Sequence, residues 1–341
     1  HLPHWGEVKT WGILDGAQFR REGPPALDSA EYAAAFDEVK RLGAIDSTER
    51  TADQTEIAFY WRDQAGSYTP AGRWAEIAGE VLETLGLGPA ENARIMAILN
   101  FAQADGAISA WDTKYAYSSW RPITAIRQAD QDGNDATVAQ AGWTPLLTTP
   151  NHPDYVSGHS TCSMAAAYTL QLLLGEIAFS NESVGLPGVT RSFDNFVDAA
   201  REASFSRIVG GIHFRFACDD GLDLGQAVAE YGVARMTAEE DTYAPYVLLP
   251  GVTGGVVAAP PVIEGLAFDN RAGLDTVLAV LNGGASAEVA VDGFGRFTAD
   301  LAALFGPLDD GAYLLELSAT DAAGNDSGVV QLAFTLDAIL G

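Results

Sequence analysis

The 341-residue chain is 48% hydrophobic, enough for a sizeable core and too apolar for a disordered segment. Its 46 acidic residues against 19 basic ones leave a net charge of -27, which argues against a nucleic-acid or anionic-membrane binder and favours solubility in salty surroundings. No run of roughly 18 apolar residues occurs, so no membrane insertion is expected, and the length leaves room for two domains.

Residues 1–30 are rich in Pro, Gly and Trp without a period, which predicts an extended strap lying on a core. The opening His1-Leu-Pro-His-Trp shows no initiator Met and no signal peptide, and whatever preceded it is expected to have been removed, by processing or by design. Tyr32, Phe36, Val39 and Leu42 then recur at spacings of three and four, marking an amphipathic helix from Glu31. Ser47-Thr48-Glu49 predicts the start of a second helix through Ile57 and Trp61, and Arg73 to Leu85 predicts a third. Pro89-Ala90-Glu91 opens a long fourth, with Ile95, Ile98, Leu99 and Ala102 on one face, running towards Tyr117 and a stop or kink at Pro122. The run Asp130-Gln-Asp-Gly-Asn-Asp135 is a polar turn that lacks the Gly and bidentate Glu of a calcium loop at the required places. Further helices are expected after His159, over about 192–212, and over 221–238.

The texture then changes. Residues 251–261 read as a Gly/Ala/Val/Pro linker. Alternating runs follow at Ala287–Val291, Gly295–Ala299, Ala312–Leu317 and Val329–Thr335, separated by turns at Asp292-Gly293, Asp310-Gly311 and Gly324-Asn325-Asp326. Alternation with turns at this spacing predicts a small β-sandwich. The expected architecture is therefore a mostly α helical bundle over 1–250, a linker over 251–261 and an all-β sandwich over 262–341.

Three segments of the helical part carry side chains suited to an oxyanion. Lys114 and Arg121 are seven apart, nearly the same azimuth on one helix, so a point charge and a guanidinium fork can aim one way. Ser157-Gly158-His159 precedes the apolar run Met164–Tyr168, where a glycine permits close approach and a helix start offers free N–H groups. Ser206-Arg207 is followed by Gly210-Gly211 and His213, a cation and an imidazole able to flank one pocket. Taken singly, each has a plain alternative: a solvated face, a capped helix, a core histidine. Only five histidines occur in the chain, yet two stand at these spots. The two cysteines, Cys162 and Cys218, fit no metal spacing and read either as two buried free thiols or as one disulfide.

In this order the three motifs resemble the signature shared by vanadium haloperoxidases and the acid phosphatase and type 2 phosphatidic acid phosphatase superfamily. Glu49-Arg50-Thr51, Trp111-Asp112-Thr113-Lys114-Tyr115 and His213-Phe214-Arg215-Phe216 look like the bacterial haloperoxidase branch. The resemblance implies a vanadate cofactor, with phosphate able to occupy the same pocket, cradled by Lys114, Arg121, Ser157, Gly158, Arg207 and His213. It implies His213 as the residue bonded to vanadium, His159 as acid/base and Lys114 as the group polarising peroxide. Trp111 and His152 fall where the family places the halide site, and His there resembles bromoperoxidases more than chloroperoxidases. Hydrogen peroxide and a halide are the implied partners, with a small organic acceptor and a homo-oligomer left open.

Two alternatives stand beside this. An acid phosphatase of the same superfamily would use His213 as nucleophile and His159 as proton donor to the leaving group. An extracellular structural or adhesive protein with an inactive helical domain is the other, because residues 317–325 (Leu-Ser-Ala-Thr-Asp-Ala-Ala-Gly-Asn) resemble bacterial Ig-like surface domains. Acidity and this Ig-like texture lead to the expectation of a secreted or cell-surface bacterial protein.

Overall fold

The computed structural model describes residues 2–64, 66–237, 241–250, 254–269, 273–292 and 295–340. Ala238 of the last expected helix, residues 251–253 of the expected linker and Gly293 of an expected turn lie outside them. The chain divides into a helical unit, His1–Thr237, and a β unit, Ala238–Gly341.

In the helical unit the strap over the first thirty residues holds one short 3-10 turn, Pro3–Glu7, and otherwise follows α4 (Pro89–Tyr117). Buried Asp105 of α4 accepts from the amides of Trp11, Gly12 and Ile13 at 2.8, 2.7 and 3.2 Å, and Arg20 forks onto Asp112. With the strap on one side and other helices elsewhere, α4 buries residues all around its axis and shows no single apolar stripe.

The remaining helices are α1 (Ala30–Leu42), α2 (Ala52–Tyr60), α3 (Thr69–Leu85), α5 (Pro122–Arg127), α6 (Gly158–Leu174), α7 (Phe196–Val209) and α8 (Arg215–Met236). Helix α2 begins later than Ser47, because Thr51 and Gln54 form a reciprocal capping box. Ser47 instead makes a turn, donating to the Arg41 carbonyl and accepting from the amides of Glu49 and Arg50. Before α7, part of the expected helical span is a hairpin, β1 (Phe179–Glu182) with β2 (Thr190–Phe193).

Helix α6 is the centre of this unit and packs against α3, α4, α7 and α8. Its approach to α8 depends on missing side chains. A Cβ on Gly221 would stand 2.9 Å from the Ser157 carbonyl oxygen, and one on Gly225 only 2.4 Å from that of Thr161. This contact fixes the start of α6 beside the turn that leads into α8.

The β unit contains β3 (Tyr246–Leu248), β4 (Val256–Val257), β5 (Val262–Phe268), β6 (Leu274–Leu281), β7 (Ala285–Glu288), β8 (Arg296–Asp300), a short α9 (Leu301–Phe305), β9 (Gly311–Asp321) and β10 (Val330–Leu336). One sheet has the order β3-β5-β8 and the other β4-β10-β9-β6-β7. Val247, Ile263 and Phe297 from the first share a core with Val277, Leu315, Leu317 and Phe334 from the second. Along β9 every second residue from Leu315 to Asp321 is buried, the period of two that the sequence displays.

The boundary between the units lies earlier than expected. Tyr246–Leu248 pairs with β5, with Val247 buried between two exposed neighbours, so this stretch belongs to the β unit and not to the bundle. Val256–Val257, assigned to the linker, pairs in parallel with β10. Both strands are too short for their alternation to register in a sequence. Among the described residues no helix is long and apolar enough to cross a membrane.

The glycine contacts give a direct test. Gly225→Ala should destabilise the helical unit by about 1–3 kcal/mol through overpacking against α6. Gly232→Ala, on the same helix with open space at its Cβ, should stabilise by up to about 1 kcal/mol. Urea melts of the two variants would separate these outcomes, and equal effects would contradict the close α6–α8 contact.

Candidate active site

The site forms where four chain segments meet: the end of α4, the loop into α5, the start of α6 and the turn between α7 and α8. Lys114 and Arg121 do not share a helix. Helix α4 stops at Tyr117, Ser118 turns left-handed (φ 49°), and Arg121 is the extended N-cap residue of α5. Pro122 explains that conformation, since its ring disfavours a helical residue before it. The two cations still converge, because both grip the segment 152–156.

Lys114 is completely buried, and its Nζ donates to the backbone carbonyls of Pro153, Asp154 and Val156 at 2.8, 3.0 and 2.5 Å. Desolvation pulls its pKa well down, yet three acceptor oxygens around one nitrogen are served only by an ammonium. All three of its protons are thus spent on the loop, and the expected contact with peroxide would require one to be released. Arg121, 6% exposed, donates from Nε to the His152 carbonyl at 2.8 Å and from Nη1 to that of Ile212 at 2.7 Å. Arg207, 2% exposed, donates from Nη2 to the Trp61 carbonyl at 2.6 Å. Burial brings both guanidinium pKa values down to about 10, still leaving them charged at neutral pH.

The imidazoles surround these cations. Arg121 Nη1 lies 3.0 Å from His213 Nε2, and Nη2 lies 3.0 Å from His152 Nδ1. A guanidinium only donates, so His213 Nε2 is an acceptor, whereas His152 Nδ1 lies between Arg121 and the Pro153 carbonyl at 3.3 Å. His213 therefore carries its proton on Nδ1. His159 bonds through its ring to the Trp61 carbonyl, while its Nε2 is buried without a partner. Desolvation holds His159 and His213 well below the usual histidine range and His152 at about 3, so all three are neutral.

Trp111, His152, Gly158, His159, Arg207 and His213 line one cavity of about 670 Å³, Lys114 and Ser157 are fully buried, and Arg121 lines an adjoining pocket that shares His152. The nine residues singled out from the sequence are thereby brought together. The Trp111 and His152 rings are 4.9 Å apart, and Lys114 Nζ sits 5.9 Å from the Trp111 centroid. Ser157 caps α6, accepting from the Ser160 amide at 3.3 Å. A Cβ on Gly158 would stand 3.2 Å from Trp111 and press on that ring at the helix start. Buried guanidiniums, a helix N-terminus, an unprotonated His213 Nε2 and an orphaned His159 Nε2 form a donor set that fits a tetrahedral oxyanion, vanadate or phosphate.

Three lining or supporting residues escape sequence reasoning. Cys162, one turn after His159 on α6, lines the cavity, a position its i+3 spacing could have suggested. It and Cys218 are free thiols, both pushed up to about 12 by burial, so the disulfide alternative is not realised. Asp63 lies at the cavity edge, its pKa raised by desolvation against the pull of Arg73 and Arg207. Asp154 is fully buried, with Oδ1 2.9 Å from His213 Nδ1 and 4.0 Å from Arg121 Nη1. Nothing in its spacing marks it.

Residues 94–240 match the VCPO second helical-bundle domain. The crystal structure of a bacterial vanadium-dependent iodoperoxidase superimposes with a TM-score of 0.60 at 32% identity, covering 68% of this chain and 57% of that one. The helical unit has the vanadium haloperoxidase fold. A holo-type bacterial vanadium-dependent chloroperoxidase aligns with a TM-score of 0.54 at 18% identity, over 68% of this chain and 53% of its own. Vanadium chloroperoxidase of Curvularia inaequalis is 22% identical over 307 residues, 72% of this chain and 49% of that protein. The chain thus spans about half the length of these relatives, and the haloperoxidase-like unit contains all three oxyanion motifs.

The neutral histidines of this unit set a pH dependence. An unfolded chain takes up protons on histidine below about pH 6.5, whereas the folded site does not. Their stabilising contribution is therefore complete above that pH and declines on acidification, by at most about 1.4 kcal/mol per histidine per pH unit. Asp154, pushed up to about 7 by burial, acts oppositely: between about pH 4 and 7 the folded state keeps a proton that the unfolded chain releases, so its contribution falls as pH rises. All 7 tryptophans lie in the helical unit, so their fluorescence reports its unfolding alone. Urea melts between pH 6.5 and 5 should show a pH slope about 1 kcal/mol per unit smaller in His213→Gln. An unchanged slope would mean that His213 is charged when folded.

Proposed function

We propose that the protein is a vanadate-dependent haloperoxidase that oxidises bromide or iodide with hydrogen peroxide to hypohalous acid. The observation that carries this reading is the convergence of Arg121, Arg207, the start of α6 and an unprotonated His213 Nε2 beside the Trp111–His152 wall. His213 would hold vanadium through Nε2, and Arg121, Arg207, Ser157 and the Gly158 amide would hold the oxygens by charge-assisted hydrogen bonds. When bound, vanadate supplies Lewis-acid activation of peroxide towards halide, without soft ligands or a change of oxidation state.

The residues of the chain do the rest. His159 Nε2, buried and free of any partner, accepts a proton from incoming peroxide and returns one to departing water. Burial beside Arg207 weakens it as a base, and an anion in the pocket restores that basicity by favouring the charged ring. Lys114 holds the loop that carries His152 and Ser157 and keeps a positive charge behind the Gly158 cradle. The His152 ring stands beside Trp111, 4.9 Å between centroids. A partly apolar aromatic wall favours the large, weakly hydrated bromide and iodide over chloride. The cavity also has room for a small organic acceptor.

The net charge of -27 and the separate β unit support a secreted or cell-surface location, with the β unit serving as an Ig-like attachment module. Relatives that are themselves vanadium-dependent enzymes support the cofactor.

Peroxide-dependent bromination of a phenolic dye, after stripping the protein and adding orthovanadate, tests the central reading. Activity should appear with vanadate, compete with phosphate, and fall by at least about 100-fold in His213→Ala, the order expected for loss of a group acting directly in the chemistry. Hydrolysis of a phosphate ester that vanadate inhibits, without bromination, would instead assign the pocket to the phosphatase branch.

A further inference from the structure

We infer that Asp154 is the positioning residue of His213: its carboxyl oxygen faces Nδ1, favours the tautomer with the proton there, and so leaves Nε2 unprotonated beside Arg121. The inference deepens the proposed function and rests on it only for the identity of the anion.

The tautomer follows from two neighbours on opposite sides of one ring. Arg121 Nη1, which has no lone pair to offer, stands 3.0 Å from Nε2, so Nε2 is bare. A neutral imidazole must then carry hydrogen on Nδ1. The polar atom nearest it is Asp154 Oδ1 at 2.9 Å, off the line of the N–H, so the two attract electrostatically without forming a hydrogen bond. Reversal of the ring would set a bare nitrogen against a carboxylate and a protonated one against a guanidinium, two repulsive contacts in a buried site. The ring is 3% exposed and the carboxylate 0%, so water cannot replace either partner.

Asp154 is itself fixed by contacts that do not involve its carboxylate. Its amide donates to the Ser119 carbonyl at 3.1 Å, and its own carbonyl accepts from Lys114 Nζ at 3.0 Å. The Asp154 backbone is therefore tied to the end of α4 and to the loop before α5, while its side chain reaches the turn between α7 and α8. One residue registers all three motifs against each other. A carboxylate behind a metal-ligating imidazole also increases the donor strength of the distal nitrogen, and loss of such a partner typically weakens metal binding about 10–100-fold.

The experiment uses full-length protein labelled with 15N-histidine. With five histidines in the chain, long-range proton–nitrogen correlation resolves each ring, and His213→Gln assigns the signal of interest. In the wild type His213 should show a protonated Nδ1 and a bare Nε2. Asp154→Ala should produce a tautomer mixture and weaken orthovanadate binding, measured by equilibrium dialysis, by about 10–100-fold. Asp154→Asn retains an acceptor oxygen without the charge, and should keep the tautomer with a smaller loss of affinity. A wild-type spectrum with the proton on Nε2 would overturn the inference by itself, with no substitution required. So would an Asp154→Ala protein that keeps the Nδ1–H form and wild-type vanadate affinity. Failure of bromination in a protein whose His213 responds to Asp154→Ala as described would remove the haloperoxidase reading and leave this one standing.

Discussion

Three cations of the site are taken out of water, and the arrangement of backbone carbonyls that compensates them underlies the rest of it. Lys114, Arg121 and Arg207 are each at most 6% exposed, and the only fully buried carboxylate among them is Asp154. Desolvating a charge costs several kcal/mol unless polar groups replace the lost water. Here the replacements are main-chain oxygens of Trp61, His152, Pro153, Asp154, Val156 and Ile212. Carbonyl dipoles solvate a cation without cancelling its charge. The pocket remains electropositive, and its backbone becomes rigid because each oxygen is pinned.

That solution constrains the helices. The segment 152–156 can reach Lys114 only if α6 starts directly after it, and α6 can lie there only if α8 comes close behind. Gly221 and Gly225 supply the necessary space, and Gly106 does the same where α4 faces α6. Small residues in the helix contacts and buried charges at the helix ends are two parts of one design. The strap adds support along α4, where Asp105 accepts from three amides, two of which would otherwise be buried without partners.

Much of this was legible in the sequence, for identifiable reasons. Helices α1, α3 and α4 announce themselves through apolar spacing, and the site residues through rare residue types in a fixed order. The conformation linking Lys114 to Arg121 was misread as helix, because a seven-residue interval looks helical unless the effect of Pro122 on Arg121 is weighed. Ser47 and Thr51 are equally good caps in isolation, and only the Gln54 side chain distinguishes them. Strands β3 and β4 are shorter than a full period of alternation can reveal. Asp154 was invisible because its role lies in a contact across 59 residues, made by a side chain that looks from its neighbours like an ordinary loop acid.

The contrast between surface and site says something about how an anion would be captured. A chain with 46 acidic residues repels anions at long range, and at physiological salt that field decays over roughly 8 Å. Affinity must therefore come from short-range donors that are already in place, which is what charge-assisted hydrogen bonds from immobilised guanidiniums and a helix N-terminus provide. Neutral histidines fit the same logic. Each stays uncharged because burial disfavours the charged ring and the cations around it raise the local potential further, and each becomes a better base when a negative group enters. Binding of the anion would thus activate the proton acceptor as part of the same electrostatic event, without movement of the fold.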